Sequence, residues 1–380
     1  MASVYPTSVH RSEPVLTGLL IGVYLIGYIG ISTVDQLTSL RYVMYLVPAI
    51  LLVSPLVSHN TRLQPNILAL LLFYLALGGI GWMVSPGLSD FFLRDYIIIS
   101  GVLVCYAIVP YVREQHIRFI FYVSLVLFAF RYATIDHGGF SLHFLRSASL
   151  SQSFDSNEGL IGAIYVIFFF AIGARIETVL AFAMCLLGGK RIGLAAMLVG
   201  VLTIWFLLRA PSLNRPKARF VILLLAFAGL NVLSVYLVWI VETVFRAAHI
   251  TVPIEEFMAG RYKISSAIYH EMSARPILMS LFGSGAGSAD TITVQVTAGG
   301  VPLTHNDWLK ILVDYGSIGS IVLTIGLAAI FATSALAAGL GLATAVLMMT
   351  DNVMIYLFYQ IPVALMIAFA LSWRPSRAYG

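Results

Sequence analysis

Two stretches, Ile67 to Val84 and Ala218 to Val241, run almost without a polar break, and each is long enough to cross a hydrocarbon layer about 30 Å thick as a helix. A transmembrane β-barrel instead needs alternating segments of about ten residues, so these runs exclude it. Sliding windows of about 19 residues place further spans at Val15–Val34, Tyr42–Ser58, Tyr96–Val112, Ile117–Ala133, Gly159–Ala174, Thr178–Leu187, Gly193–Leu208, Trp308–Thr333, Leu336–Met349 and Val353–Trp373. The expectation is an all-α, polytopic membrane protein with about twelve helices, the seventh and eleventh being short.

Composition agrees. The 380 residues are 60% hydrophobic and 10% charged, with a mean hydropathy of +0.94, whereas an ordinary globular chain is roughly 25% charged. Such a chain cannot clothe a water-facing surface, and a bilayer is its solvent. The net charge of +5 does not point to nucleic acid, because the basic residues are sparse and no soluble domain presents them. With a cytoplasmic N-terminus, the short inner loops hold Arg62, Arg113, Arg118, Arg175, the cluster Arg209, Arg215, Lys217 and Arg219, and the terminal Arg374 and Arg377, as the positive-inside rule requires. Both termini then face the cytoplasm. Arg11 before the first apolar run resembles a signal peptide, but no small-residue cleavage pattern follows, so a retained first helix is expected. Cys105 and Cys185 lie inside apolar segments and are read as free thiols.

The chain reads as a single membrane domain over 1–380, with two long outer connections, 132–158 and 242–307. The longer holds Gly260 to Ala274, where Ile264, Ile268 and Met272 recur every four residues, one face of an amphipathic helix lying on the membrane surface or capping a cavity. After it comes the glycine-rich run Gly283-Ser284-Gly285-Ala286-Gly287, whose backbone N–H groups suit an anion or serve as a plain loop. Then Thr304-His305-Asn306-Asp307-Trp308-Leu309-Lys310 opens a membrane helix that continues through Asp314, Gly316 and Gly319. Asp307 and Asp314 read as structural, Asp307 near a helix cap. Scattered His137, His143, His249 and His270 lack metal-ligand spacing, and no nucleotide motif occurs, so neither metal nor cofactor is expected.

The stretch from His305 to Gly319 resembles the signature of the bacterial O-antigen polymerase and ligase superfamily. Asp155-Ser156-Asn157-Glu158, Gly188-Gly189-Lys190-Arg191 and Gly260-Arg261 leading to Gly283-Ser284-Gly285 follow that family's order, while the first half matches it only in hydropathy. Lys190 stands where the family commonly has serine. The resemblance implies a glycosyltransferase of the lipid-carrier class in a bacterial inner membrane, acting at the periplasmic face. It would join undecaprenyl-pyrophosphate-linked oligosaccharide units into O-antigen, capsule or exopolysaccharide, with inversion at the anomeric carbon. His305 is then the catalytic base, Arg191 and Arg261 bind the pyrophosphate with Lys190 beside them, and Asn306 and Asn157 contact substrate. Partners would be the lipid-linked substrates, membrane lipid and a chain-length-regulating co-polymerase. Imidazole and guanidinium groups suit this chemistry, which takes a proton from a hydroxyl and neutralises a departing diphosphate. Two other readings stay open: a ligase transferring finished glycan to lipid A core or protein through the same residues, and a lipid-linked sugar transporter or flippase. Transport would place charges at mid-membrane depth in broken helices, and the sequence suggests no buried carboxylate relay.

Overall fold

The computed structural model describes residues 12–32, 35–57, 61–84, 89–134, 157–249, 253–258, 261–298 and 303–372. These form an all-α protein. Helices α1 (Ser12–Ser32), α2 (Leu46–Val57, entered through a 3₁₀ segment Asp35–Tyr45), α3 (Pro65–Val84), α4 (Phe92–Ala107) and α5 (Glu114–Thr134) make the first half. Then come α6 (Glu158–Ile172), α7 (Arg175–Leu187), α8 (Arg191–Arg209) and α9 (Pro216–Val235). Five short helices follow: α10 (Leu237–Ala247), α11 (Ile254–Phe257), α12 (Arg261–Ser273), α13 (Ile277–Phe282) and α14 (Ser288–Val296). The chain closes with α15 (Asp307–Phe331), α16 (Ala335–Leu347), a 3₁₀ turn at Val353–Ile355 and α17 (Leu357–Ser372).

Among the described residues, seven helical windows are long and apolar enough to cross a membrane: Val15–Ser32, Ser39–Leu56, Pro65–Val84, Glu114–Ala133, Arg191–Arg209, Pro216–Val235 and Asp307–Phe331. Glu158–Ile172, Ala335–Leu347 and Leu357–Leu371 are shorter apolar helices. The outer helices turn Leu72, Phe73, Phe130, Trp205, Phe206 and Leu225 outward, a perimeter suited to lipid and unsuited to water. By contrast α6 and α16 are buried nearly throughout. Small residues let helices close up: α8 and α16 meet where a Cβ on Gly200 would lie 2.9 Å from the Gly339 carbonyl, and one on Gly339 2.8 Å from that of Gly200.

The short elements α10–α14 gather at one end of the bundle, called here the loop end. At the other end, β1 (Arg62–Leu63) pairs antiparallel with β2 (Ile108–Val109). There Arg219 closes the exit of α15, donating to the carbonyls of Ala332 at 2.8 Å and Thr333 at 3.0 Å, carbonyls a helix end leaves without partners.

Three sequence expectations change. The run Ala218–Val241 is not one helix: it breaks at Tyr236, and α10 sets off separately. Its Trp239 is exposed and Phe245 buried, while Tyr262 donates to Glu242 at 2.6 Å, so α10 is an amphipathic helix bound to α12. The helix expected at Gly260 to Ala274 exists as α12, but its buried Ile264 and Ile268 pack on Ala289, Leu309 and Val313. It covers α14 and α15. Finally, α15 is interrupted at Gly316, whose φ of +67° and ψ of −173° lie in a region open essentially to glycine alone. The expected segments Tyr132 to Glu158 and the N-terminal Arg11 fall largely outside the described residues, as do His137, His143, Gly260, Arg374 and Arg377. Cys105 and Cys185 are free and buried.

Candidate functional site

Glycines bring the first two motifs together. A Cβ on Gly188 would lie 2.5 Å from the Cα of Gly159, and one on Gly193 3.1 Å from the Gly159 carbonyl. The backbone before α8 therefore rests directly on the first turn of α6. Gly189, at φ +73°, turns the chain so that Lys190 takes the N-cap position and Arg191 the first helical position of α8. On the other side of this contact, Asn157 precedes α6 half-buried and makes no side-chain cap bond. Its neighbour Glu158 is buried and accepts from Arg131 at 2.9 and 3.1 Å. Asp155 and Ser156 lie outside the described residues.

The third motif forms the start of α15. Asn306 is its N-cap: Oδ1 accepts from the Leu309 amide at 3.0 Å and from Ser234 Oγ, at the end of α9, at 2.6 Å. This satisfies one of the amides a helix start leaves open. Next, Asp307 N–H donates to the Met348 carbonyl and its Oδ2 accepts from the Met354 N–H, both at 2.8 Å. These two bonds clamp the turn between α16 and α17 against α15. His305, one residue before the cap, sits at φ +54°, uncommon for a side chain larger than glycine; it is half-buried, with Nδ1 withdrawn from solvent.

The clamped turn carries Asp351, and the motifs meet there. Lys190 Nζ donates to Asp351 Oδ2 at 2.9 Å, and Asp351 Oδ1 accepts from the Asn352 amide at 2.9 Å. Burial alone would raise the Asp351 carboxyl, but Lys190 beside it outweighs burial, with help from the Asn352 N–H and from charge on His305, and holds it below the usual carboxylate range. Tyr356, at the entrance to α17, faces the Asp351 carboxylate, with Arg261 within electrostatic reach. Lys190, His305 and Tyr356 thus meet at Asp351, and Arg261 reaches the group through Tyr356.

Of the residues singled out by sequence, His305, Lys190, Arg261 and Asn306 come together, and Asn157 adjoins them through the Gly159–Gly188 contact. Arg191 follows Lys190 and is exposed. Lys190 is committed to Asp351, and the oxygen of Asn306 is occupied in capping α15. Asp351 itself escaped the sequence reading, although the polar break Thr350-Asp351-Asn352 between two apolar runs signals it.

A second cluster buries four charged side chains together, where the sequence suggests no buried carboxylate relay. Lys310 Nζ lies 2.5 Å from Asp95, 3.0 Å from Asp290 and 3.3 Å from Asp314, with its side chain 2% exposed. Arg94 pairs with Asp95 at 2.7 Å and also with Asp290, and Thr304 donates to Asp290 at 2.9 Å. The glycine run also serves this cluster instead of an external anion: the amides of Gly287 and Ala289 each donate to Asp314 at 2.9 Å. The break at Gly316 releases two α15 carbonyls, and the same loop takes them up. Ser284 N–H donates to Val313 and Gly285 N–H to Asp314, both at 3.0 Å, and Arg275 also donates to the Val313 carbonyl at 3.0 Å. Asp314 thus ties the glycine loop to α15.

Among the described residues, no group of three or more His, Cys, Asp or Glu side chains is arranged to hold a metal ion. Fold and site together define an all-α protein built of membrane-length apolar helices, with a mixed-charge site and a histidine at one end. No protein-family model matches the chain, and no curated protein matches it.

Proposed function

We propose that this chain is a polysaccharide polymerase of the bacterial inner membrane, crossing it about twelve times with both termini cytoplasmic and the loop end in the periplasm. It would join undecaprenyl-pyrophosphate-linked oligosaccharide units. The observation that carries the reading is the meeting of Lys190, His305 and Tyr356 at Asp351, with Arg261 within electrostatic reach of Tyr356, from chain segments far apart in sequence. The opposite end supports the orientation, since its short loops carry Arg62, Arg113, Arg175, Arg215 and Lys217.

In the reaction, the acceptor hydroxyl oxygen forms a bond to the anomeric carbon of the donor as the bond from that carbon to the pyrophosphate oxygen breaks. His305 takes the hydroxyl proton, and the leaving diphosphate carries away the electron pair, neutralised by Arg261 and Arg191. Asp351, held ionised by Lys190, favours the imidazolium that forms on His305, as a carboxylate beside a catalytic histidine does. A ligase would use the same residues on a different acceptor.

A second reading is favoured by one specific feature: Lys310 and three carboxylates lie beside the broken helix at Gly316, as a transporter of a lipid-linked sugar would require. Both readings meet in one experiment. Purified protein is given lipid-linked repeat units, in detergent and in liposomes, and chain length and transbilayer movement are followed. Longer products that His305→Ala abolishes support the polymerase. Movement across the bilayer without any lengthening would overturn it in favour of transport.

A further inference from the structure

The turn that carries Asp351 also holds polar atoms that the fold leaves unused. Asn352 is 0% exposed and Asp307 1% exposed. Four buried atoms, Asn352 Nδ2, Asn352 Oδ1, Asp307 Oδ1 and Thr350 Oγ1, make no hydrogen bond to any described residue. They belong to one locality, because Asp307 Oδ2 accepts from Met354 N–H at 2.8 Å, which fixes the other carboxylate oxygen beside the same turn. Leaving such atoms without partners is costly, so a cluster of them calls for a partner, ordered water or a ligand.

The inventory of donors and acceptors selects among ligands. A cation would satisfy the oxygens of Asp307, Asn352 and Thr350 but leave the Asn352 N–H₂ group unmatched. An anion would meet the Asp307 and Asp351 carboxylates. A neutral group with adjacent hydroxyls, each able to donate and to accept, satisfies all four atoms, whichever way the amide is turned. His305 stands two residues before Asp307, and its charge acts on Asp351, the residue before Asn352.

We infer that Asp307, Thr350 and Asn352 form a hydroxyl-reading subsite for the acceptor saccharide, selecting the sugar whose hydroxyl meets His305. This rests on the polymerase reading and adds the residues that choose the acceptor. Neighbouring hydroxyls on one ring would bridge Asp307 and Asn352, so the subsite reads configuration as well as polarity.

Asn352→Leu tests it, since leucine keeps a similar volume and removes two of the unused atoms. The probe is the repeat-unit oligosaccharide released by mild acid from lipid-linked material of a strain lacking this chain. Its binding to full-length protein in detergent is measured by equilibrium dialysis, beside the melting temperature and elongation of the intact lipid-linked unit. The expected result is a melting temperature no lower than that of the unsubstituted protein, with Kd for the oligosaccharide raised about tenfold or more, while His305→Ala still binds it. Asn352→Asp, which retains acceptors but loses the donor, falls between. Equal binding by Asn352→Leu and the unsubstituted protein would overturn the subsite and leave those atoms to water, and so would an absence of binding by the unsubstituted protein. Should Asn352→Leu lose binding while no protein elongates the lipid-linked unit, the subsite stands and the polymerase reading falls.

Discussion

Replacing Lys310 with methionine removes a cation that touches Asp95, Asp290 and Asp314 at 2.5, 3.0 and 3.3 Å. Three carboxylates then remain with Arg94, whose side chain is 34% exposed and whose attraction water partly screens. Removing one partner from a buried pair costs about 3–5 kcal/mol, because the remaining charge stays desolvated. Lys310 is 2% exposed, so the full range applies, and the melting temperature in detergent should fall by roughly 5–10 °C. Lys217→Met, at an exposed position, is the control and should change stability by less than about 0.5 kcal/mol. The pH dependence adds a sign. Burial, followed by the Asp95 charge, raises the Asp290 carboxyl, against the lowering effects of Lys310 and Arg94. A carboxyl raised on folding contributes stability that is full below its unfolded pKa, about 3.9, and lost as pH rises through the folded value. Without Lys310 the carboxyl rises further, so the deficit of Lys310→Met should narrow as pH is lowered from 8 to 5. Thermal unfolding monitored by tryptophan fluorescence measures both effects. If Lys310→Met melts with the Lys217→Met control at every pH, the cluster is not the buried lock described here.

Two further substitutions separate the loop from the site. Gly316→Ala places a Cβ against the Leu281 carbonyl at a φ of +67°, so it should destabilise by about 1–3 kcal/mol or more, seen as faster proteolysis of the α13–α14 segment; unaltered proteolysis would show that the break in α15 is not fixed by that contact. Asp351→Asn removes the charge that holds Lys190, and it should lower elongation at least tenfold while flattening the acid limb of the stability curve. The sign follows from a carboxyl lowered on folding: its contribution is present above its unfolded pKa near 3.9 and is lost as pH falls through the folded value. An acid limb identical to that of the unsubstituted protein would contradict the Lys190–Asp351 pairing.

The helical framework was legible because membrane-length apolar runs leave few alternatives. The exceptions are local. The Ala218–Val241 run hid a break at Tyr236, because α10 keeps an apolar face and hydropathy does not sense its direction. The break at Gly316 was equally silent, since a glycine inside an apolar run reads the same whether the helix continues or stops. In the site, His305, Arg261 and Lys190 were visible from local motifs. Asp351 was not, because its role depends on the clamp from Asp307 to Met348 and Met354, a contact between segments some forty residues apart. For the same reason no local motif marks Lys310: its partners Asp95 and Asp290 come from α4 and α14. The glycine run showed its capacity to bind an anion, but the anion is the protein's own Asp314.

The position of a bound lipid diphosphate tests the central claim most directly. An experimental density map of the protein in nanodiscs with undecaprenyl pyrophosphate should place the diphosphate at the loop end, between Arg261 and the start of α8 and within reach of His305. Diphosphate density at the opposite end, or beside Lys310 and the Gly316 break, would contradict the account.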